Sequence, residues 1–291
     1  MNKQFYEELL AKFQKANKTR KLYLANKAGY ETIEDYKKAL ELSISGSVEP
    51  EIVKEEKSDS VEELDMVIAF DTTGSMSAYI DSVKKHVKKL IPNLFKNSPK
   101  LLIKVVAFGD YCDMETSTVF GKAYQESTLT NNENELINFV NNAQNTSGGD
   151  GDEFYELVIK KIVEETPWRA NSKKSVLLIG DADPHRVGYT YLPKVKNAQI
   201  NWEEEAKKAA LLNIQFDTLK IHDYSKWYEK LSEITGGVSL NFKSASKTSN
   251  IIEGLAYARS SEKAYAETYS TVMESGDSEL IGAYKTMSTL L

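Results

Sequence analysis

The chain has 291 residues, 41% of them hydrophobic and 27% charged, with a net charge of −6 at neutral pH. This is the composition of an ordinary globular protein, and the acidic balance argues against nucleic-acid binding, which usually needs a basic excess. The single cysteine, Cys112, excludes an intramolecular disulfide and any metal site built from several thiolates. The sequence contains no signal-peptide core and no apolar run of the roughly 18 residues that a membrane span needs. We therefore expect a soluble, cytoplasmic protein.

The first part of the chain predicts a helical appendage and a linker. Helical spacing of apolar residues predicts two helices within residues 1–45. Thr32 and Asp35 stand at the two positions of a capping box at the start of the second helix. Residues 46–63 are polar and acidic without a period, so we expect an acidic linker there.

From residue 64 onward, apolar runs alternate with amphipathic segments. The predicted elements are strand 64–70, a helix from Met76 in which Pro92 produces a kink or an end, strand 101–109, a short strand near 117–121, helix 131–144, a helix from Phe154, strand 175–180, helix 202–213, strand 214–221, helix 226–235, strand 238–242 and a helix from Thr248. This order predicts an α/β fold over residues 64–258, doubly wound, with a mostly parallel sheet and helices on both faces. Residues 259–291 predict a helical C-terminal extension that breaks at Gly276-Asp277.

Three loops rich in oxygen ligands follow predicted strands or precede a helix. They are Asp71-Thr72-Thr73-Gly74-Ser75, the segment from Ser147 to Glu153, and Gly180-Asp181-Ala182-Asp183. In open α/β sheets, ligands bind outside the carboxyl ends of the strands, so we expect these loops to meet at one edge. Carboxylates and hydroxyls suit Mg²⁺, Mn²⁺ or Ca²⁺ rather than zinc or copper.

The first loop carries a family resemblance. Asp71-x-Thr73-x-Ser75 after an apolar strand resembles the metal-ion-dependent adhesion site of von Willebrand factor A domains, and the resemblance spans about residues 64–258. It implies a Rossmann-like fold with one divalent cation at the top of the sheet. By the family pattern, the Thr73 and Ser75 hydroxyls bind the metal, and Asp71 acts directly or through water. Asp181 matches the aspartate of the fourth-strand loop, and one coordination position stays open for a partner's carboxylate.

The second loop departs from the common pattern. Asp150 follows Gly148-Gly149 where the family usually has a threonine, and this Gly-Gly-Asp-x-x-Glu loop is similar to that of von Willebrand A domains found beside atypical α-kinases. The resemblance extends to Asp181-Ala-Asp-Pro-His185, while a kinase domain with its glycine-rich phosphate loop is not recognisable. The metal ligands predicted from this pattern are Asp71, Thr73, Ser75, Asp150 and Asp181.

The extra carboxylate has a physical consequence. If Asp71, Asp150 and Asp181 approach one divalent cation, three negative charges face two positive ones. We expect tighter metal retention and a weaker attraction for an acidic partner group, because the local field is no longer positive.

These features predict a divalent-cation-dependent protein–protein interaction or assembly module without catalysis, with no nucleic acid and no membrane among its partners. Asp152 and Asp183 are interpreted as helix-start or supporting groups, and His185 as a loop residue. The same residues leave a simpler role open for Thr73 and Ser75, which could cap the helix that follows.

Two other functions stay open. A metal-dependent phosphohydrolase also begins with an aspartate after an apolar strand, but it needs a second aspartate where Thr73 stands. A structural subunit that docks through its terminal helices is the other alternative. A serine hydrolase and a dinucleotide-binding oxidoreductase lack their Gly-x-Ser-x-Gly and Gly-x-Gly-x-x-Gly motifs.

Overall fold

A computed structural model describes Leu10, Gln14 and residues 32–44, 63–115, 120–221 and 225–291. The chain divides into two compact units, residues 1–60 and 61–291. In the first unit, helix α1 spans Ile33–Ile44. The Thr32 hydroxyl accepts the Asp35 backbone N–H at 3.1 Å, which is one of the two hydrogen bonds of a capping box. The same hydroxyl donates to the Asp35 carboxylate at 2.6 Å. The helix predicted around residues 5–13 lies outside the described residues except for Leu10, and so do residues 46–62 of the predicted linker.

The second unit contains a six-stranded sheet and a separate pair of short strands. The strands are β1 Leu64–Asp71, β2 Leu101–Phe108, β3 Tyr124–Glu126, β4 Asp152–Glu153, β5 Lys173–Gly180, β6 Asp183–Pro184, β7 Ile214–Lys220 and β8 Ser239–Asn241. The sheet order is β3-β2-β1-β5-β7-β8, and β4 pairs with β6. Only β3 runs antiparallel to its neighbour among these described strands. The mostly parallel sheet is confirmed.

Helices cover both faces of this sheet. They are α2 Ser77–Asn97, α3 Glu133–Asn142, α4 Tyr155–Glu165, α5 Trp202–Leu211, α6 Trp227–Thr235, α7 Thr248–Ser260, α8 Glu262–Ser275 and α9 Ser278–Met287. Because side chains alternate along a strand, Ile68 and Phe70 pack with α2, α3 and α7, while Val67 and Ala69 pack with α4, α5 and α6. This arrangement confirms the doubly wound α/β fold.

Two local predictions differ from the structure. Pro92 does not end α2, which continues to Asn97. Leu94, one turn from Leu90, is fully buried, so packing against the sheet offsets the backbone hydrogen bond that proline removes. The short strand predicted near 117–121 forms later, as β3; residues 116–119 lie outside the described residues, and Gly121 has a φ of +53°, which a strand does not accommodate.

The C-terminal extension consists of two helices. Gly276, with a φ of +70°, ends α8, and the Asp277 carboxylate accepts the Leu280 backbone N–H at the start of α9. This confirms the break predicted at Gly276-Asp277. Tyr265 and Tyr284 are buried in the same core as α7. No helix in the described part of the chain is long and apolar enough to cross a membrane.

Candidate metal centre

Asp71 lies at the carboxyl end of the central strand β1 and is fully buried. Its Oδ1 accepts hydrogen bonds from the backbone N–H and the hydroxyl of Thr73, both at 2.7 Å. Its Oδ2 accepts one from the Tyr155 hydroxyl at 2.8 Å. Burial raises the pKa of Asp71 to about 7, although the hydrogen bonds from Thr73 and Tyr155 act to lower it. A cation beside this carboxylate would favour its ionised form.

Tyr155 reaches Asp71 because a glycine leaves room for it. Tyr155 begins α4, and a Cβ built on Gly180 would lie 1.9 Å from its hydroxyl oxygen. Gly180 ends β5, next to β1 in the sheet. Gly180 at the end of β5 therefore leaves space for Tyr155, which holds the Asp71 carboxylate at the end of the neighbouring strand β1.

The Thr73 side chain does not cap the helical turn that follows it. Gly74–Met76 form a single 3₁₀ turn, and the Thr73 side chain makes no capping hydrogen bond to it. The Thr73 hydroxyl instead donates to Asp71, which leaves its oxygen lone pairs available to a ligand. Ser75 is exposed. The geometry at Thr73 thus favours the metal-ligand interpretation over the capping interpretation.

Asp181 lies at the same edge of the sheet. The parallel register pairs Phe70 with Ile179, so Asp71 and Gly180 end their strands at the same level and Asp181 follows at once. Asp181 is buried, and its charge adds to the raised pKa of Asp71. The structure therefore places Asp71, Thr73 and Asp181 at the same edge of the sheet, and their role as metal ligands stays a prediction.

The second loop is tied to the first by paired threonines. The Thr146 backbone N–H donates to the Thr72 carbonyl at 2.9 Å, and the two hydroxyls are 3.0 Å apart. Gly148 has a φ of +66°, and a Cβ there would lie 2.7 Å from Glu153 Oε1 and 3.3 Å from the Thr73 methyl group. Glu153 and Thr73 thus flank the same glycine.

Glu153 is a site residue that sequence reasoning did not assign. It is buried, and its Oε2 has no hydrogen-bond partner among the described residues. Burial raises its pKa to about 10, and repulsion from carboxylates that include Asp71 and Asp110 adds to this. An unpaired buried oxygen beside other carboxylates fits a cation, which supplies the missing countercharge. The only signal in the sequence was its place in the Gly-Gly-Asp-x-x-Glu loop.

Asp150 is placed with a different group of residues. It is exposed, and its two oxygens accept from the Tyr189 hydroxyl at 3.0 Å and from the Asp152 backbone at 3.2 Å. One ligand atom each from Asp110, Asp150 and His185 lie within 4.8 Å of one another. The assignment of Asp150 to the Asp71 centre stays a prediction.

The structure also locates Asp152, Asp183 and His185, which the sequence does not assign to the metal centre. Asp152 and Asp183 face each other as partners in the β4–β6 pair, and both are at least partly exposed. His185, interpreted as a loop residue, is buried, and a cavity of about 400 Å³ adjoins it. The cavity walls include Trp202 and Trp227.

Residues 61–291 therefore form a doubly wound α/β unit. Acidic and hydroxyl side chains cluster at the carboxyl ends of its parallel strands. The family model for the von Willebrand factor type A domain matches residues 65–263, and the chain belongs to this family. Domains of this family generally mediate protein interactions and often bind a divalent metal.

The chain is also similar to parts of two larger proteins. The α-protein kinase vwkA of Dictyostelium discoideum is 30% identical over 128 residues, which cover 43% of this chain and 19% of the kinase. The ariadne-like RING finger protein R811 of Acanthamoeba polyphaga mimivirus is 23% identical over 195 residues, which cover 63% of this chain and 19% of that protein. The chain therefore corresponds to a small part of each relative.

Proposed function

We propose that this protein is a divalent-cation-dependent module for protein–protein interaction or assembly. The observation that carries the proposal is the buried Asp71, which is held by Thr73 and Tyr155 beside the unpaired Glu153 carboxyl group. Such a centre has a strong need for positive charge and sits where α/β sheets bind ligands.

Mg²⁺ is the cation proposed, and Mn²⁺ and Ca²⁺ suit the same oxygen donors. Asp71, Thr73, Ser75 and Asp181 would hold it. Asp150, the fifth ligand predicted from the sequence, instead accepts from the Tyr189 hydroxyl and lies in the group with Asp110 and His185. When bound, the cation supplies a positive site at which an Asp or Glu of a partner protein can bind. Ser75 is exposed, so a cation bound by its hydroxyl would be accessible to a partner.

The carboxylates around the centre shape its binding properties. Glu153 adds a further acidic group to the aspartates predicted from the sequence. We expect the protein to retain its cation firmly and to bind an acidic partner group weakly in comparison with a site that has a threonine in place of Asp150.

We propose no catalytic activity. A phosphohydrolase of the kind considered above needs an aspartate at position 73, and the Thr73 hydroxyl there is bound to Asp71. The docking alternative receives little support from the C-terminal helices, since Tyr265 and Tyr284 are buried in the core of their own unit. A cytoplasmic location and the absence of nucleic-acid and membrane partners remain predictions.

The proposal is tested by titrating metal-free protein with Mg²⁺, Mn²⁺ and Ca²⁺ while heat release and thermal stability are followed. We expect saturable Mg²⁺ binding near one equivalent, lost in Asp71→Asn and weakened in Ser75→Ala. Asp81→Ala, which removes an exposed carboxylate on α2, serves as the matched control and should bind as the wild type does. Failure to bind any of the three ions at millimolar concentration would refute the cation-dependent mechanism.

A further inference from the structure

A second cluster of ligand-type side chains lies around His185. Asp110 follows β2, Asp150 belongs to the loop before β4, and His185 follows β6. His185 Nε2 and Asp110 Oδ1 are 2.6 Å apart, and one ligand atom from each of the three residues lies within 4.8 Å of the other two. Three separate segments thus converge on one point.

An independent observation indicates a missing ligand at this point. Asp110 is fully buried, and its Oδ2 has no hydrogen-bond partner among the described residues. It belongs to the same carboxylate whose Oδ1 contacts His185, so it lies in the cluster itself. A buried carboxylate oxygen without a partner is costly, and a cation is the ligand that would satisfy it.

The surrounding side chains fix the cluster in place. The Tyr189 ring stacks on the His185 ring with 3.6 Å between centroids, and its hydroxyl donates to Asp150 at 3.0 Å. The buried Glu156 accepts the His185 backbone N–H at 3.1 Å and the Tyr111 hydroxyl at 2.7 Å. Supporting contacts of this kind orient the ligands of protein metal sites.

We propose that Asp110, Asp150 and His185 form a second metal site, distinct from the Asp71 centre, for first-row transition-metal ions such as Zn²⁺ and Co²⁺. An imidazole nitrogen favours these ions over Mg²⁺ and Ca²⁺, which take oxygen ligands. The proposal does not rest on the function of the Asp71 centre. In this proposal Asp150 binds the second metal ion and not the cation of the Asp71 centre, which accounts for an aspartate where the family has a threonine.

Co²⁺ is the probe, because its visible absorption reports on coordination by nitrogen, and Zn²⁺ is the competitor. We expect the 291-residue chain to bind one equivalent of Co²⁺, which Zn²⁺ displaces. The affinity for Co²⁺ should fall at least tenfold in His185→Gln and in Asp110→Asn. His86→Gln, which changes a histidine on α2, is the matched control and should leave Co²⁺ binding unchanged.

The Asp71→Asn variant tests whether the two metal sites are independent. It should lose Mg²⁺ binding and keep the His185-dependent Co²⁺ equivalent, whereas His185→Gln should keep Mg²⁺ binding. Thermal unfolding without metal shows whether each variant is folded, and Asp110→Asn serves as a second test should His185→Gln unfold. The second site would be refuted if folded His185→Gln and Asp110→Asn both bound Co²⁺ with wild-type affinity. It would also be refuted if Asp71→Asn lost both Mg²⁺ and Co²⁺ binding.

Discussion

Asp71, Tyr155 and Gly180 depend on one another through space rather than along the chain. Tyr155 is fully buried and donates its hydroxyl hydrogen to Asp71, and this hydroxyl occupies the space that a Cβ at position 180 would take. Gly180 is thus required for the position of Asp71, although the two residues are joined only through Tyr155. The side chain that positions Asp71 comes from α4, which begins 84 residues further along the chain.

Gly180→Ala should therefore disturb both stability and metal binding. We expect it to lower the free energy of unfolding by about 1–3 kcal/mol, because a methyl group is forced into a packed site. Mg²⁺ affinity should fall about tenfold, because displaced Tyr155 no longer holds Asp71. Urea denaturation and calorimetric titration measure the two effects.

Tyr155→Phe provides the control for this interpretation. Removing the hydroxyl removes the atom that the new methyl group would approach most closely, at 1.9 Å, although two ring carbons remain at 2.7 and 2.9 Å. Gly180→Ala should therefore cost less in the Tyr155→Phe background than in the wild type. Strictly additive losses would show that the methyl group acts somewhere other than on the Tyr155 hydroxyl.

At the scale of secondary-structure elements, two glycines of the C-terminal extension differ in backbone conformation. Gly276 ends α8 with a φ of +70°, whereas Gly282 is exposed within α9, and a Cβ at either position would meet no atom within 4 Å. Space is therefore equal at the two positions, and only backbone conformation distinguishes them.

The same substitution should have opposite effects at these two positions. Gly276→Ala should destabilise the protein by about 1 kcal/mol, because a residue with a Cβ is strained in the left-handed region. Gly282→Ala should stabilise it by up to about 1 kcal/mol, because alanine has the higher helix propensity. Urea denaturation of both variants checks the prediction, and effects of the same sign would contradict it.

At the scale of the whole molecule, a buried ion pair joins the sheet to α7. Arg259 Nε and Nη2 donate to the two Asp217 oxygens at 3.0 and 2.6 Å, and both residues are buried. Asp217 also accepts the Val238 backbone N–H next to β8. One carboxylate thus links β7, the segment before β8 and the helix that leads into the C-terminal extension.

Arg259→Met should destabilise the protein by about 3–5 kcal/mol, because it leaves the Asp217 charge buried without its partner. Addition of Asp217→Asn should restore part of this loss by removing the charge. Lys230→Met, which breaks the exposed pair with Glu203, should cost less than about 1 kcal/mol. Thermal or urea denaturation measures all three, and equal effects of Arg259→Met and Lys230→Met would contradict the prediction.

Much of the fold could be predicted because its signals are local. The apolar run from Leu64 and the aspartate that ends it identify a buried strand and a candidate ligand at its carboxyl end, and parallel-sheet geometry requires the loop at Asp181 to lie at the same edge. Gly276-Asp277 marks a helix break through conformational preferences of single residues. Short-range chemistry and the alternation of strands and helices therefore determined the family, the sheet and the first and third loops.

Only the tertiary structure decided the place of Glu153 in the acidic centre and the separate cluster that contains Asp110 and His185. Glu153, Asp110 and His185 have ordinary loop positions in the sequence, and their burial depends on elements that pack together after folding. Pro92 is likewise accommodated by core packing that its neighbours along the chain do not reveal. The physical reason is the same in each case: desolvation and contacts between distant segments set these roles, and neither has a local pattern.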